Sequence, residues 1–149
     1  SLCLLLVFAV APNLRVRHQR NEEWAARALR TLHSAEQTYA DRYGKGFTED
    51  FQQLDWPASG EPSAANAGLV KDLFAERREV KPASFVKRDY RLVYEPLGRD
   101  AAGRISGFRI VATPEMHKHA GQRSFYVDQS GVVRWTSENR PAQQSDPPL

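Results

Sequence analysis

The chain opens with eleven residues that carry no charged side chain. This apolar run covers residues 1–11 and is followed by Pro12, after which the sequence becomes much more polar. A helix that crosses a bilayer needs about 20 apolar residues, and the run is shorter than that. We therefore expect it to be the end of a membrane-derived helix that continues upstream. Its role would be either assembly with other copies or simple anchoring.

Proline at position 12 marks a break in this first pattern. Proline has no N–H to donate along a helix, and it disfavours the helical conformation of the residue before it, here Ala11. We therefore expect the helix to be kinked or unwound near Pro12. Asn13 is suited to cap a second helical stretch, because its side chain can accept hydrogen bonds from the first turn.

Residues 13–43 contain neither glycine nor proline and are rich in helix formers. Apolar residues recur at spacings of three and four, which places them on one face of a helix. Gly44 is expected to end this helix as a C-cap residue. The face predicted to pack on the rest of the protein consists of Trp24, Ala28, Leu32, Ala35 and Tyr39.

The last third of the chain changes to the period of β-strands. Short apolar alternations bounded by turn residues predict four strands, which short loops would join into an antiparallel meander. Two short helices are predicted over residues 48–54, with Thr48 as the cap, and over residues 64–75. The fold class is therefore α+β, with a spine helix at 1–44 and a head at 45–149, the helix covering the sheet. The predicted strands are 90–94, 108–112, 124–127 and 132–135.

Composition and charge narrow the function classes. The net charge of +3 is too small to indicate a nucleic-acid partner. The single cysteine, Cys3, cannot form an internal disulfide or one of the common zinc, haem or redox motifs. Part of the basic excess follows the apolar run directly, at Arg15, Arg17 and Arg20. These side chains would either bind phospholipid headgroups or carry solvated charge.

Few residues suggest a metal-binding or catalytic site. Two imidazoles, His117 and His119, could form a weak metal site, but an exposed loop fits them better because no third ligand is evident. The segment 128–131 has too few carboxylates for a calcium loop and is expected to be a plain turn. Glu36 lies on the apolar side of the spine and would pair within an assembly, pair with its own head, or reach solvent. No enzyme template is present, so we expect no catalytic site, metal or cofactor.

Four stretches together carry a resemblance to a known family. They are Ala11-Pro-Asn-Leu14 followed by basic residues, Ala28-Leu-Arg-Thr-Leu-His-Ser-Ala-Glu-Gln-Thr-Tyr39 with Tyr43-Gly44, Ala67-Gly-Leu-Val70, and Gly121-Gln-Arg-Ser-Phe-Tyr-Val-Asp-Gln-Ser-Gly-Val-Val-Arg134. Their order and spacing resemble type IV pilin-like proteins and the major pseudopilins of type II secretion. The family's N-terminal start and early glutamate are absent from this chain.

The resemblance implies a structural subunit of an extracellular filament, inserted in the inner membrane before it polymerises. Its partners would be other copies in a helical filament and the pilus or secretion assembly machinery. One alternative is a periplasmic pseudopilin of a type II secretion system, and another is a single-pass membrane-anchored periplasmic binding domain. The residues implied in assembly are Leu2, Leu4, Leu5, Leu6, Val7, Phe8, Val10, Pro12 and Leu14.

The C-terminal segment, residues 136–149, has almost no apolar side chains and contains three prolines. Ordering such a segment costs roughly 1–2 kcal/mol per residue in backbone entropy. We therefore expect it to lie along the head of its own chain or, in preference, across a neighbouring subunit. The contacts would come from Pro141, Pro147 and Pro148 and from backbone hydrogen bonds.

Overall fold

The computed structural model describes the backbone of residues 2–117 and 122–149, and the side chains of residues 14–117 and 122–149. The fold is α+β, with one long N-terminal helix and one antiparallel sheet. The helical elements are α1 (Leu2–Tyr43), a 3₁₀ helix (Phe51–Leu54) and α2 (Lys71–Phe74). The strands are β1 (Arg78–Lys81), β2 (Ser84–Lys87), β3 (Tyr90–Arg99), β4 (Ile105–Pro114), β5 (Ser124–Asp128) and β6 (Arg134–Thr136).

Helix α1 is 42 residues long, which corresponds to about 63 Å. It ends where the sequence predicts, because Gly44 adopts a φ of +62° that favours glycine. The Gly44 N–H donates to the carbonyl of Ala40 at 3.0 Å and closes the last turn.

The unwound segment predicted before Pro12 is absent, since residues 2–43 form one uninterrupted helix. A proline removes only one backbone hydrogen bond, here the bond to the carbonyl of Phe8, at a cost of about 3 kcal/mol. Helix-forming sequence on both sides keeps the neighbouring bonds. The prediction of unwinding overestimated the effect of one proline within a long helical stretch.

The sheet is a six-stranded meander in the order β1-β2-β3-β4-β5-β6, so the predicted connectivity is confirmed and the predicted number of about four strands is wrong. The four predicted strands correspond to β3–β6. Strand β1 has all four residues exposed, so no apolar alternation marks it. Strand β2 has only two buried residues, Phe85 and Val86, between polar ends.

Both short helices are smaller than predicted. The 3₁₀ helix begins after Asp50 rather than Thr48, because the Asp50 carboxylate accepts the Gln52 N–H at 2.9 Å. The second helix is confined to Lys71–Phe74. Upstream of it, Gly68 has a φ of +65° and lies against Trp56, which excludes a helix across that point.

The core lies between α1 and one face of the sheet, where α1 contacts β4 and β5. Alternate residues of paired strands face the helix, as in the row Leu92, Ala112 and Phe125. An aromatic cluster extends this core under the 3₁₀ helix, with Phe51 and Phe85 in edge contact at 5.2 Å between ring centroids.

Candidate functional site: the spine helix and its contacts with the head

The predicted inner face of the spine lies on the sheet. Ala28, Leu32, Ala35 and Tyr39 are buried, and Trp24 is partly buried against the core. These side chains belong to one hydrophobic core with the sheet, so the second half of α1 is an integral part of the head.

Tyr39 also fixes the loop that follows the 3₁₀ helix. Its hydroxyl donates to the carbonyl of Ala64 at 2.7 Å and accepts from the amide of Gln53 at 3.0 Å. The ring packs in the core while the hydroxyl satisfies a loop carbonyl, a combination typical of buried tyrosine.

Glu36 is fully buried, and its carboxylate binds the chain that returns after the helix. The Thr48 N–H donates to Oε2 at 3.0 Å, and the Thr48 hydroxyl donates to Oε1 at 2.5 Å. Within the described residues no cation pairs with Glu36. Of the three interpretations left open by the sequence, the structure supports a contact with the chain's own head, made through hydrogen bonds. We call Glu36, Gly46 and Thr48 the latch.

Burial raises the pKa of Glu36 to about 7, and the two hydrogen bonds from Thr48 oppose that rise. The hydroxyl of Tyr94 donates to the Thr48 carbonyl, so the same residue joins the helix to β3. Burial, followed by the nearby Glu36 carboxylate, raises the pKa of Tyr94 as well. Burial therefore disfavours the ionised form of both groups that bind Thr48, the Glu36 carboxylate and the Tyr94 phenolate.

Gly46 brings the latch loop against β4. It forms a β-bridge with Ile105, and the next residue, Phe47, donates its N–H to the Ile105 carbonyl at 3.0 Å. A Cβ at position 46 would lie 2.3 Å from that carbonyl oxygen, so only glycine fits. The phenyl ring of Phe47 then packs edge-on against Phe108.

The other end of the head contacts α1 through a turn that the sequence analysis missed. Arg88 and Asp89, both at positive φ, connect β2 to β3 in a two-residue hairpin. The Asp89 carboxylate accepts from Arg17 at 3.0 Å and from Asn21 at 3.1 Å. An Arg-Asp pair between two strands is a weak turn signal, because the usual glycine or asparagine is absent.

Glu22 provides a second contact at this end. Its carboxylate accepts the backbone N–H of Arg123 at 2.9 Å and the side-chain Nε of the same residue at 3.1 Å. The Arg123 guanidinium also lies 5.1 Å from the ring centroid of Trp135. The helix is thus fixed to the head both here and at the latch.

The side chains of the predicted assembly residues 2–12 lie outside those the structure describes, and Leu14 is 41% exposed. Among the described residues, no helix combines the length and the hydropathy needed to cross a membrane.

The sequence analysis considered two candidate metal positions, His117 with His119 and the segment 128–131. His117 Nε2 lies 3.1 Å from the Ser137 carbonyl oxygen, whereas His119 falls outside the described residues. Asp128 accepts hydrogen bonds from its neighbour Ser130 and from the Tyr126 hydroxyl. No group of three potential metal ligands occurs among the described residues.

The C-terminal segment lies along its own head. Trp135 donates its N–H to the Pro147 carbonyl at 3.1 Å, and Leu149 donates to the Val133 carbonyl at 2.8 Å. Between these points, Arg140 forms a two-bond ion pair with Asp146. Of the two placements left open by the sequence, these contacts support the one along the chain's own head.

We expect Asp146→Ala to lower the thermal stability of the chain clearly more than Glu138→Ala. Both carboxylates pair with Arg140, but Asp146 also accepts the Gln143 N–H and is largely buried. The Arg140 hydrogen bond lowers the pKa of Asp146 to about 2 from 3.8, so its stabilising effect is lost as the pH falls through that interval. Calorimetry of the two variants at neutral pH and at pH values below 4 tests this, and equal losses would contradict it.

The sheet face opposite α1 carries a groove of about 1170 Å³ between the strands and the C-terminal segment. Its floor is a row of paired residues, Val93, Val111, Tyr126 and Arg134. The Arg134 guanidinium donates to the Asp146 carbonyl at 2.9 Å. A binding domain, the second alternative, would hold its ligand here.

Comparisons with protein-family models, curated proteins and solved structures find no match to this chain. The family resemblance therefore rests on the sequence patterns, and the function has to be argued from the arrangement of the helix and the head.

Proposed function

We propose that this chain is a structural subunit of an extracellular type IV pilus-like filament that polymerises through its apolar N-terminal helix. The observation that carries the proposal is the asymmetry of α1. Among the described side chains the core of the head begins at Ala25, and the apolar run at residues 1–11 precedes it on the same helix. An apolar helix segment outside the bilayer must be covered by partners, and identical helices of other copies would cover it.

The rigid connection between spine and head supports this role. A filament transmits force from the helices in its centre to the heads outside, so each head must keep a fixed orientation on its helix. The latch at Glu36 and the contacts of Asn21 and Glu22 hold α1 at two levels about 22 Å apart. The fold, a long helix on an antiparallel meander, is compatible with a pilin-like head.

Deletion of residues 1–11 is expected to give a soluble, monomeric and folded head that forms no filaments. Among the described side chains the core begins at Ala25, so circular dichroism should retain the helix and sheet signals. Sedimentation and electron microscopy would compare the truncated chain with the full chain after detergent removal. Filaments formed by the truncated chain would refute the proposal.

A matched pair of point variants tests whether filaments are lost because a charge enters the apolar run rather than because a charge is added to the chain. Leu5→Asp places a charge in the apolar run and should abolish filaments, because a buried unpaired charge is costly. Val132→Asp adds the same charge on the exposed surface of the head and should leave them intact.

Electron micrographs of cells that express the protein distinguish a pilus from a pseudopilin. Long filaments on cells that express the protein favour a pilus, and short assemblies confined to the periplasm favour a pseudopilin. A membrane-anchored binding domain would remain monomeric in detergent and after its removal.

A further inference from the structure

Six exposed side chains encircle α1 where the head begins, and three of them are apolar. Leu14 is 41% exposed, Val16 is 47% exposed and Met116 is 58% exposed. Three arginines lie among them. The set, which we call the collar, is Leu14, Arg15, Val16, Arg20, Arg88 and Met116.

The collar is electropositive. Arg15, Arg20 and Arg88 have no carboxylate partner among the described residues. Asp89 pairs with Arg17 and Glu115 pairs with Arg91, while Glu23, one turn beyond Arg20, has no cation partner among the described residues and offsets one of the three positive charges. The surface is therefore suited to an anionic partner that also accepts apolar side chains.

The geometry of the collar favours a layer rather than a one-sided partner. At 100° per residue, Arg15, Val16 and Arg20 point in directions spread over about 140° of the helix circumference. On the remaining side the β2–β3 turn, which contains Arg88, contacts Arg17 through Asp89, and Met116 lines a small cleft with Leu14. A neighbouring subunit would contact one side of the helix, whereas a bilayer surface entered by the helix contacts all sides at one level.

The height of the collar fits a headgroup layer. Residues 14–20 rise about 9 Å along the helix, and each polar layer of a bilayer is about 5–8 Å thick. The apolar run lies directly on the other side of the collar, as the hydrocarbon layer lies beneath the headgroups.

The cleft at the collar contains a buried acceptor. It measures about 250 Å³ and is lined in part by Leu14, Arg17, Met116 and Gln122. Gln122 is 7% exposed, and its Oε1 accepts no hydrogen bond from the described residues. A headgroup hydroxyl or ammonium could donate to it while the lipid phosphate pairs with the arginines.

We propose that the collar docks on the surface of an anionic phospholipid bilayer and holds the head against the membrane before assembly. The arginines bind lipid phosphates, and Leu14, Val16 and Met116 insert at the boundary of the acyl chains. The proposal shares with the filament role only the membrane-inserted helix, and its test does not depend on polymerisation.

The test uses the full chain with Cys3→Ser, reconstituted at low density in vesicles of phosphatidylcholine with or without phosphatidylglycerol. A fluorescent label is placed at Met116→Cys or, as a distal control, at Ala102→Cys in the β3–β4 turn. Strand β3 separates the two ends of the head by about 30 Å.

The label at position 116 should be shielded from an aqueous quencher only when phosphatidylglycerol is present, and salt should reverse the shielding. The label at position 102 should stay accessible.

Two double variants identify the charges responsible. Arg15→Gln with Arg20→Gln should weaken docking about 30-fold, because each arginine near an anionic surface contributes about 1 kcal/mol. Arg27→Gln with Arg30→Gln removes the same charge from exposed positions that lie about 10 and 15 Å beyond Arg20 on the same helix, at or beyond the screening length, and should have little effect.

Equal shielding of position 116 in both lipids would overturn the proposal, and so would equal losses in the two double variants. Shielding that rises with protein density regardless of lipid would assign the collar to contacts between copies instead, and would also overturn it. Filament formation can succeed or fail independently of each result.

Discussion

The free energy of unfolding of this protein is expected to fall by about 3 kcal/mol as the pH rises from 4.5 to above 7, through Glu36 alone. Burial raises the pKa of Glu36 from 4.5 in the unfolded chain to about 7 in the folded one. The folded state therefore binds this proton more tightly. The stabilisation is complete below the unfolded pKa and is lost as the pH passes the folded pKa.

Glu36→Gln should remove this dependence. Its amide oxygen can accept from the Thr48 N–H, and its NH₂ group can donate to the Thr48 hydroxyl, which imitates the protonated acid. At pH 8 the variant should be more stable than the native protein by up to about 3 kcal/mol, whereas near pH 4.5 the two should be similar. Chemical denaturation across this range gives the difference directly.

Glu23→Gln is the matched control for this experiment. Glu23 lies on the same helix, is exposed and, among the described residues, accepts a hydrogen bond from Gln19. Its substitution should leave the stability profile parallel to that of the native protein. Parallel profiles for Glu36→Gln as well would show that the buried carboxyl titrates normally, and the account of the latch would be wrong.

The spine could be predicted because its burial is one-sided and local. Apolar residues spaced by three and four reveal the buried face of a helix even when the surface that covers it is unknown. The burial of Leu32 and Tyr39 therefore follows from spacing alone. The same holds for Gly44, whose role as a C-cap depends only on the end of its own helix. Strands β3 and β4 followed from apolar alternation for the same reason, whereas β5, with all five residues buried, followed from its short run of apolar residues before a turn.

The latch could not be predicted from pattern. Glu36 looks like a misplaced charge until the chain returns twelve residues later and Thr48 meets it. Asp89 likewise acquires its role from a helix residue far away in sequence, Arg17. Strand β1 is defined by backbone pairing with β2 while its side chains face solvent, so no hydrophobic period marks it.

Gly46→Ala is expected to destabilise the protein by about 2–5 kcal/mol. The new Cβ would lie 2.3 Å from the carbonyl oxygen and 2.9 Å from the nitrogen of Ile105, both backbone atoms of β4. Neither can rotate away, so the loop or the strand must shift, which typically costs 1–3 kcal/mol. A side chain at a φ of +78° adds about 1–2 kcal/mol.

Gly44→Ala separates these two contributions. Gly44 has a similar φ of +62°, but a Cβ there would meet nothing within 4 Å, so only the conformational cost of about 1–2 kcal/mol is expected. Because Gly46→Ala moves Thr48 away from Glu36, it should also expose the carboxyl and flatten the pH dependence of stability between 4.5 and 7, which Gly44→Ala should preserve. Equal destabilisation by the two variants, with the pH dependence intact in both, would show that the bridge to Ile105 does not hold the latch in place.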